Sequence, residues 1–88
     1  MSELPTQETL TIEFKSDRDG GYPDGDLVDE IVGMTNTEGG VLYLGIEDNG
    51  QVTGIIKRHQ DPIGLAALIA NCTRPSLSVR TEIIYDHN

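Results

Sequence analysis

The chain has 88 residues, which is enough for one hydrophobic core and too few for two, so we predict a single domain over residues 1–88. Hydrophobic residues make up 36% of the chain and charged residues 24%, a balance that excludes a disordered or a membrane-spanning protein. Fifteen acidic residues against six basic ones give a formal net charge of −9, which opposes simple DNA binding, because that binding depends on neutralising phosphates.

The only cysteine, Cys72, excludes an internal disulfide and a zinc site built from cysteines. The segment Met1–Pro5 has neither the basic start nor the apolar run of a signal peptide. We therefore expect a cytoplasmic protein without a membrane partner.

The first predicted elements are a strand and a helix. Leu10, Ile12 and Phe14 alternate with polar residues, which is the period of a half-buried strand. A loop rich in Asp and Gly follows, and Asp26 is the predicted N-cap of a helix that ends before Gly39-Gly40. The predicted buried face of this helix has the spacing i, i+3, i+4 and i+7 and consists of Val28, Ile31, Val32 and Thr35.

A hairpin is predicted next. Two runs rich in strand-forming residues, 41–46 and 51–56, flank Asp48-Asn49-Gly50. Because Asn-Gly accepts a positive φ at both central turn positions, we predict a tight turn there.

The last predicted elements are a second helix and a final strand. Asp61 is the expected N-cap and Pro62 the first helical residue, and Arg74-Pro75 ends the helix. Its predicted buried stripe consists of Leu65, Leu68, Ile69 and Cys72. Alternating residues then predict a strand over 77–85. The two histidines, His59 and His87, fall in predicted loops and are expected to be solvated.

Together these elements predict an α+β fold with the order β-α-β-β-α-β, in which two helices pack on one face of a mixed or antiparallel sheet. A turn-like cluster directly follows the last strand, so we expect the chain to be an N-terminal fragment of a longer protein. The edge of that last strand is then expected to pair, either in a homodimer or with a C-terminal region outside these residues.

Three segments, in order, resemble one family. Residues 8–15 contain an acidic residue, a spacer and Glu-Phe-Lys; residues 36–40 read Asn-Thr-Glu-Gly-Gly; residues 45–54 contain Gly-Ile-Glu-Asp-Asn-Gly, then a valine and a glycine. These motifs are similar to those of the Schlafen AlbA-type domain, and the resemblance covers roughly residues 8–84. It implies a nucleic-acid-binding module, with DNA or RNA as partner, in a predicted transcriptional regulator.

The resemblance also implies an alternative function. The Schlafen branch includes metal-dependent endoribonucleases with three acidic side chains, which here correspond to Glu8, Glu13 and either Glu47 or Asp48. If the apolar residues of each strand face the core, Glu13 and Glu47 face away together, which favours Glu47 over Asp48. Carboxylates on one surface suit Mg²⁺ or Mn²⁺. A solvated acidic face explains the same carboxylates without catalysis. A third possible function is an interaction domain whose sheet edge pairs with another chain.

Four basic residues are candidates for phosphate contacts: Lys15, Arg18, Lys57 and Arg58. No Gly-x-x-x-x-Gly-Lys-Ser/Thr motif occurs, so ATP is not an expected cofactor. A further set of residues is assigned to backbone geometry within the motifs, with Asn36 expected to adopt a left-handed φ: Asn36, Gly39, Gly40, Gly45, Asn49, Gly50 and Gly54.

Overall fold

The computed structural model describes residues 4–86 of the chain. In chain order, its elements are strand β1 (Ile12–Lys15), helix α1 (Asp24–Thr35), strand β2 (Val41–Leu44), a short 3-10 helix (Lys57–His59) and helix α2 (Pro62–Asn71). Two helices and a two-stranded sheet are compatible with the predicted α+β class.

The predicted mixed or antiparallel sheet is wrong, because β1 and β2 pair in parallel. The chain leaves β1, passes through α1 and returns in the same direction, and such a crossover joins parallel neighbours. Gly40 lets the two strands meet at the start of β2. Its φ is +134°, a side chain on it would collide with the carbonyl of Thr11, and the next N–H, of Val41, donates to that carbonyl at 2.8 Å.

The predicted hairpin is reduced to one antiparallel bridge between Ile46 and Val52. Strand β2 ends at Leu44 because Gly45 has a φ of +95° and its carbonyl accepts the N–H groups of Thr53 and Gly54. The turn also differs from the one predicted. Among the residues of the turn only Gly50 has a positive φ, and the Asn49 side chain instead accepts the N–H of Gln51 at 2.9 Å.

The predicted last strand over residues 77–85 is also absent from the part of the chain that the structure describes. A strand needs a hydrogen-bonded neighbour, and the backbone of residues 78–86 forms no backbone–backbone hydrogen bond within residues 4–86. Alternate side chains of this segment nevertheless turn inward, and Leu77 and Val79 pack against the core.

Both helices supply the core. Leu27 and Val28 of α1 and Ile69 of α2 are buried, and half-buried apolar side chains surround them: Tyr22, Ile31, Val32, Leu42, Leu65, Leu68, Leu77 and Val79. Asp61 caps α2 by accepting the N–H of Gly64 at 3.0 Å, with Pro62 at the first helical position, so this prediction is confirmed.

Several predictions at the helix boundaries are wrong. Helix α1 begins after Pro23, so Asp26 lies in its first turn and is not its N-cap. Asn36 has a right-handed φ of −81°, and Gly39 takes the positive φ, with its N–H donating to the Met34 carbonyl. Thr35 is exposed in the last turn of α1, where its hydroxyl donates to a main-chain carbonyl.

Cys72 is exposed and does not belong to the core, because it lies just beyond the last residue of α2.

The register of the sheet decides which side chains share a face. Phe14 lies opposite Tyr43, and the two rings make an edge-to-face contact with centroids 6.2 Å apart. Glu13 lies opposite Leu42, which packs against the helices. The assumption that Glu13 faces away from the side occupied by Leu42 is therefore wrong, since residues paired in register project from the same face.

Candidate functional site

The three carboxylates of the predicted metal site fall into two places. A turn before β1 brings Glu8 back to the strand, where its carboxylate accepts the N–H of Phe14 at 2.8 Å and contacts the carboxyl group of Glu13. Glu47 accepts a hydrogen bond from Thr53 at 2.5 Å and forms an ion pair with Arg18 at 3.6 Å. Asp48 is exposed in the turn.

A hydrogen bond joins the carboxyl groups of Glu8 and Glu13. The hydrogen bond with Glu13 and the N–H of Phe14 lower the pKa of Glu8, while the hydrogen bond with Glu8 and partial desolvation raise the pKa of Glu13. Within residues 4–86 no group of three or more His, Cys, Asp or Glu side chains could hold a metal ion. The residues as placed do not fit the divalent cation that the resemblance implies, and we derive no reaction through it.

Three of the four basic candidates, Lys15, Arg18 and Arg58, form ion pairs in or next to the loop between β1 and α1. Lys15 pairs with Glu30 at 3.3 Å, and its ammonium lies 5.8 Å from the centre of the Tyr22 ring. Arg18, within the loop, pairs with Glu47 at 3.6 Å.

Arg58 crosses to the same loop from the 3-10 helix. Its guanidinium donates to the carbonyls of Gly20 and Tyr22, each at 3.1 Å, and its Nε lies 3.5 Å from Asp24. Lys57 precedes it and is exposed. The structure thus brings Arg58 against the loop that carries Arg18, although the two are 40 residues apart in the chain.

A buried Asp17–His59 pair holds these segments together. Asp17, 1% exposed, accepts the N–H of Tyr22 at 2.6 Å, the N–H of Ile56 at 2.8 Å and the Nδ1 of His59 at 2.9 Å. The prediction that His59 is solvated is wrong, since the residue is 2% exposed. One carboxylate therefore fastens the loop of Arg18 to the 3-10 helix of Lys57 and Arg58.

The second nitrogen of His59 also contacts a carboxylate. Its Nε2 lies 2.9 Å from Asp24 at the start of α1, so both contacts are hydrogen bonds only when both ring nitrogens carry a proton. The hydrogen bond with His59 is the main cause that lowers the pKa of Asp24, and Arg58 adds to it. His59 thereby joins the Asp17 loop to the start of α1.

The profile of the Schlafen, AlbA_2 family matches residues 8–87, nearly the whole chain. The chain belongs to this family. No curated protein and no solved structure matches it significantly. Membership connects this Schlafen, AlbA_2 domain with a nucleic-acid-related role.

The glycines and asparagines of the family motifs lie at turns and strand ends of the Schlafen, AlbA_2 domain. Five glycines of the predicted set, Gly39, Gly40, Gly45, Gly50 and Gly54, have positive φ values. A side chain at Gly45 would come within 2.7 Å of the Gly54 carbonyl oxygen, so the absent side chain permits a close backbone approach.

The surface next to Lys15 is acidic. A shallow depression next to Lys15 is lined by Tyr22, Asp26, Asp29 and Glu30.

No helix in the described range 4–86 is long and apolar enough to cross a membrane. His87 lies outside the described residues.

Proposed function

We propose that this domain binds nucleic acid weakly through phosphate contacts at a basic surface formed by Arg18, Lys57 and Arg58. The observation that carries the proposal, beside family membership, is the buried Asp17–His59 pair, which fastens the two segments bearing these cations. Cations that are fixed on one surface can neutralise neighbouring phosphates without first ordering a loop.

Charge limits the affinity. Arg18 and Arg58 are each paired with a carboxylate, and the whole chain carries −9. Phosphate must therefore compete with Glu47 and Asp24. Three phosphate contacts at most would give a salt slope of about −2.7 on duplex DNA and about −2 on a single strand. Contacts to phosphate carry no sequence information, so the expected binding is indifferent to sequence.

A fluorescence-anisotropy titration with labelled duplex and single-stranded oligonucleotides in about 50 mM salt tests the proposal. Lys57→Ala removes an exposed cation of the basic surface, and Arg80→Ala removes an exposed cation elsewhere, so the two variants have the same net charge. Loss of one phosphate contact weakens binding about tenfold at this salt concentration. We expect that loss for Lys57→Ala and a much smaller one for Arg80→Ala.

Two results would reject the proposal for this chain. One is the absence of binding at about 100 µM, the upper end of non-specific affinities. The other is an equal effect of the two variants, which would mean that net charge and not the basic surface governs binding.

The proposal extends to a cytoplasmic transcriptional regulator. The three motifs that resemble predicted regulators support this setting, and the lone free cysteine suits a reducing compartment. The reading frame that encodes the chain tests it, since a winged-helix segment in the same frame would favour regulation of transcription.

A further inference from the structure

Residues 77–85 form an extended segment, here named the C-terminal segment, that has the side-chain pattern of a strand. Leu77, Val79, Thr81 and Ile83 are half-buried, while the residues between them are exposed. The Thr81 hydroxyl donates to the carbonyl of Pro62 at 2.5 Å and ties the segment to the start of α2. One face of the segment is therefore already fixed on the domain.

Within the segment the Leu77 N–H donates to the Thr73 hydroxyl at 2.8 Å, and beyond Leu77 the backbone has no main-chain partner among the described residues 4–86. The segment contains neither proline nor lysine, the residues that commonly protect an exposed edge. At its end two large apolar side chains are exposed, Ile84 at 41% and Tyr85 at 74%.

We propose that the C-terminal segment is an interaction surface that pairs antiparallel with the same segment of a second copy, with Thr81 on the two-fold axis. In this register Arg80 lies opposite Glu82 of the second copy, and Glu82 lies opposite its Arg80. Val79 lies opposite Ile83, and Leu77 opposite Tyr85.

The sequence of the segment favours a second copy over another strand. A two-fold contact requires a surface that complements itself, and Arg80 and Glu82 flank Thr81 symmetrically with opposite charges. Both side chains are exposed, at 91% and 64%, and their contact with each other within one chain is loose, at 3.9 Å. Opposite charges directly across an antiparallel pair stabilise it, and like charges destabilise it.

Sedimentation velocity on the 88-residue chain, at concentrations up to about 1 mM, tests the pairing. The wild-type mass is expected to rise from 9.6 kDa toward twice that value. Arg80→Glu converts both symmetric charge contacts into repulsions and is expected to weaken the dimer at least about fivefold, as is Glu82→Arg. Lys57→Glu changes the net charge as Arg80→Glu does and is the matched control, with no expected effect.

The register is tested by restoring the complementarity. The double variant Arg80→Glu/Glu82→Arg is expected to recover the wild-type dimer, and an equimolar mixture of the two single variants is expected to form a heterodimer. Circular dichroism of each variant verifies folding. A wild-type chain that stays monomeric at about 1 mM overturns the proposal. So does a dimer that the single variants leave unchanged, or a double variant that stays as weak as the single ones.

Discussion

Removal of the Asp17 carboxylate is expected to cost this domain a large part of its stability. The side chain is the acceptor for two main-chain N–H groups, of Tyr22 and Ile56, and for Nδ1 of His59. In the described part of the chain every buried side-chain nitrogen and oxygen, those of Asp17 included, has a hydrogen-bond partner. Asp17→Ala therefore leaves three donors, the N–H groups of Tyr22 and Ile56 and the Nδ1 of His59, without their acceptor.

The size of the loss follows from those groups. Breaking a buried pair by removing one partner costs about 3–5 kcal/mol, and each orphaned donor costs about 1–3 kcal/mol. We expect a loss of about 3–5 kcal/mol, because some of the donors regain water when the loop loosens. A small domain has about 5–15 kcal/mol in total, so the melting temperature is expected to fall by at least about 12 °C.

Urea denaturation followed by circular dichroism measures this change. Asp48→Ala is the matched control, because it removes an exposed carboxylate and changes the net charge equally. A loss below about 1 kcal/mol for Asp17→Ala, equal to that of the control, would refute the reasoning. It would mean that water, and not the protein, satisfies these donors in solution.

Three further results are expected. Gly45→Ala is expected to destabilise the fold by more than about 1 kcal/mol, because the φ of Gly45 is positive and the new side chain would meet the Gly54 backbone. Gly33→Ala, at an exposed position within α1, is expected to stabilise the fold by about 0.5–1 kcal/mol. Thermal melts compare the two variants. The raised pKa of Glu13 contributes stability that is present below the ordinary glutamate pKa of about 4.3 and is lost as pH rises through the folded value. Glu13→Gln keeps a donor toward Glu8 at every pH, so it should reduce the fall in melting temperature as pH rises above the ordinary glutamate pKa. Millimolar Mn²⁺ should leave the melting temperature unchanged; a rise that Glu13→Gln abolishes would instead support the endoribonuclease hypothesis.

Features that depend on neighbouring residues could be predicted from the sequence. The cap of α2 needs only Asp61, Pro62 and the N–H three residues on, and the structure has that arrangement. The glycines of the family motifs likewise mark places where the backbone turns or approaches another segment. Local chemistry determines these features, whatever the rest of the fold does.

Pairing partners could not be predicted, because they depend on residues far apart in the chain. Periodicity suggested strands but did not determine that β1 meets β2 in parallel, nor that Glu13 would share a face with Leu42. The Asp17–His59 pair was missed for the same reason. Asp17 lies in a loop rich in Asp and Gly, His59 follows two basic residues, and 42 positions separate them without any periodic signal.

The carboxylates that neutralise the basic surface each have a second partner. Asp24 lies 2.9 Å from the Nε2 of His59 and 3.5 Å from Arg58. Glu47 accepts from the Thr53 hydroxyl at 2.5 Å and lies 3.6 Å from Arg18. Each carboxylate is therefore closer to its second partner than to its arginine. A phosphate can therefore replace the carboxylate that pairs with Arg18 or Arg58, and that carboxylate still has its second hydrogen-bond partner. These carboxylates act as competitors for phosphate in the proposed function.

Removing one competitor tests that argument. Glu47→Gln keeps an oxygen that can accept from Thr53 but no longer pairs with Arg18, so the variant is expected to bind oligonucleotides more tightly than the wild type. Glu82→Gln raises the net charge equally at a site that Arg18, Lys57 and Arg58 do not contact, and is the control. Anisotropy titrations at low salt compare the two. If Glu47 competes with phosphate for Arg18, Glu47→Gln must raise the affinity for oligonucleotides more than Glu82→Gln does. Equal gains in affinity would show that Glu47 acts only through the net charge.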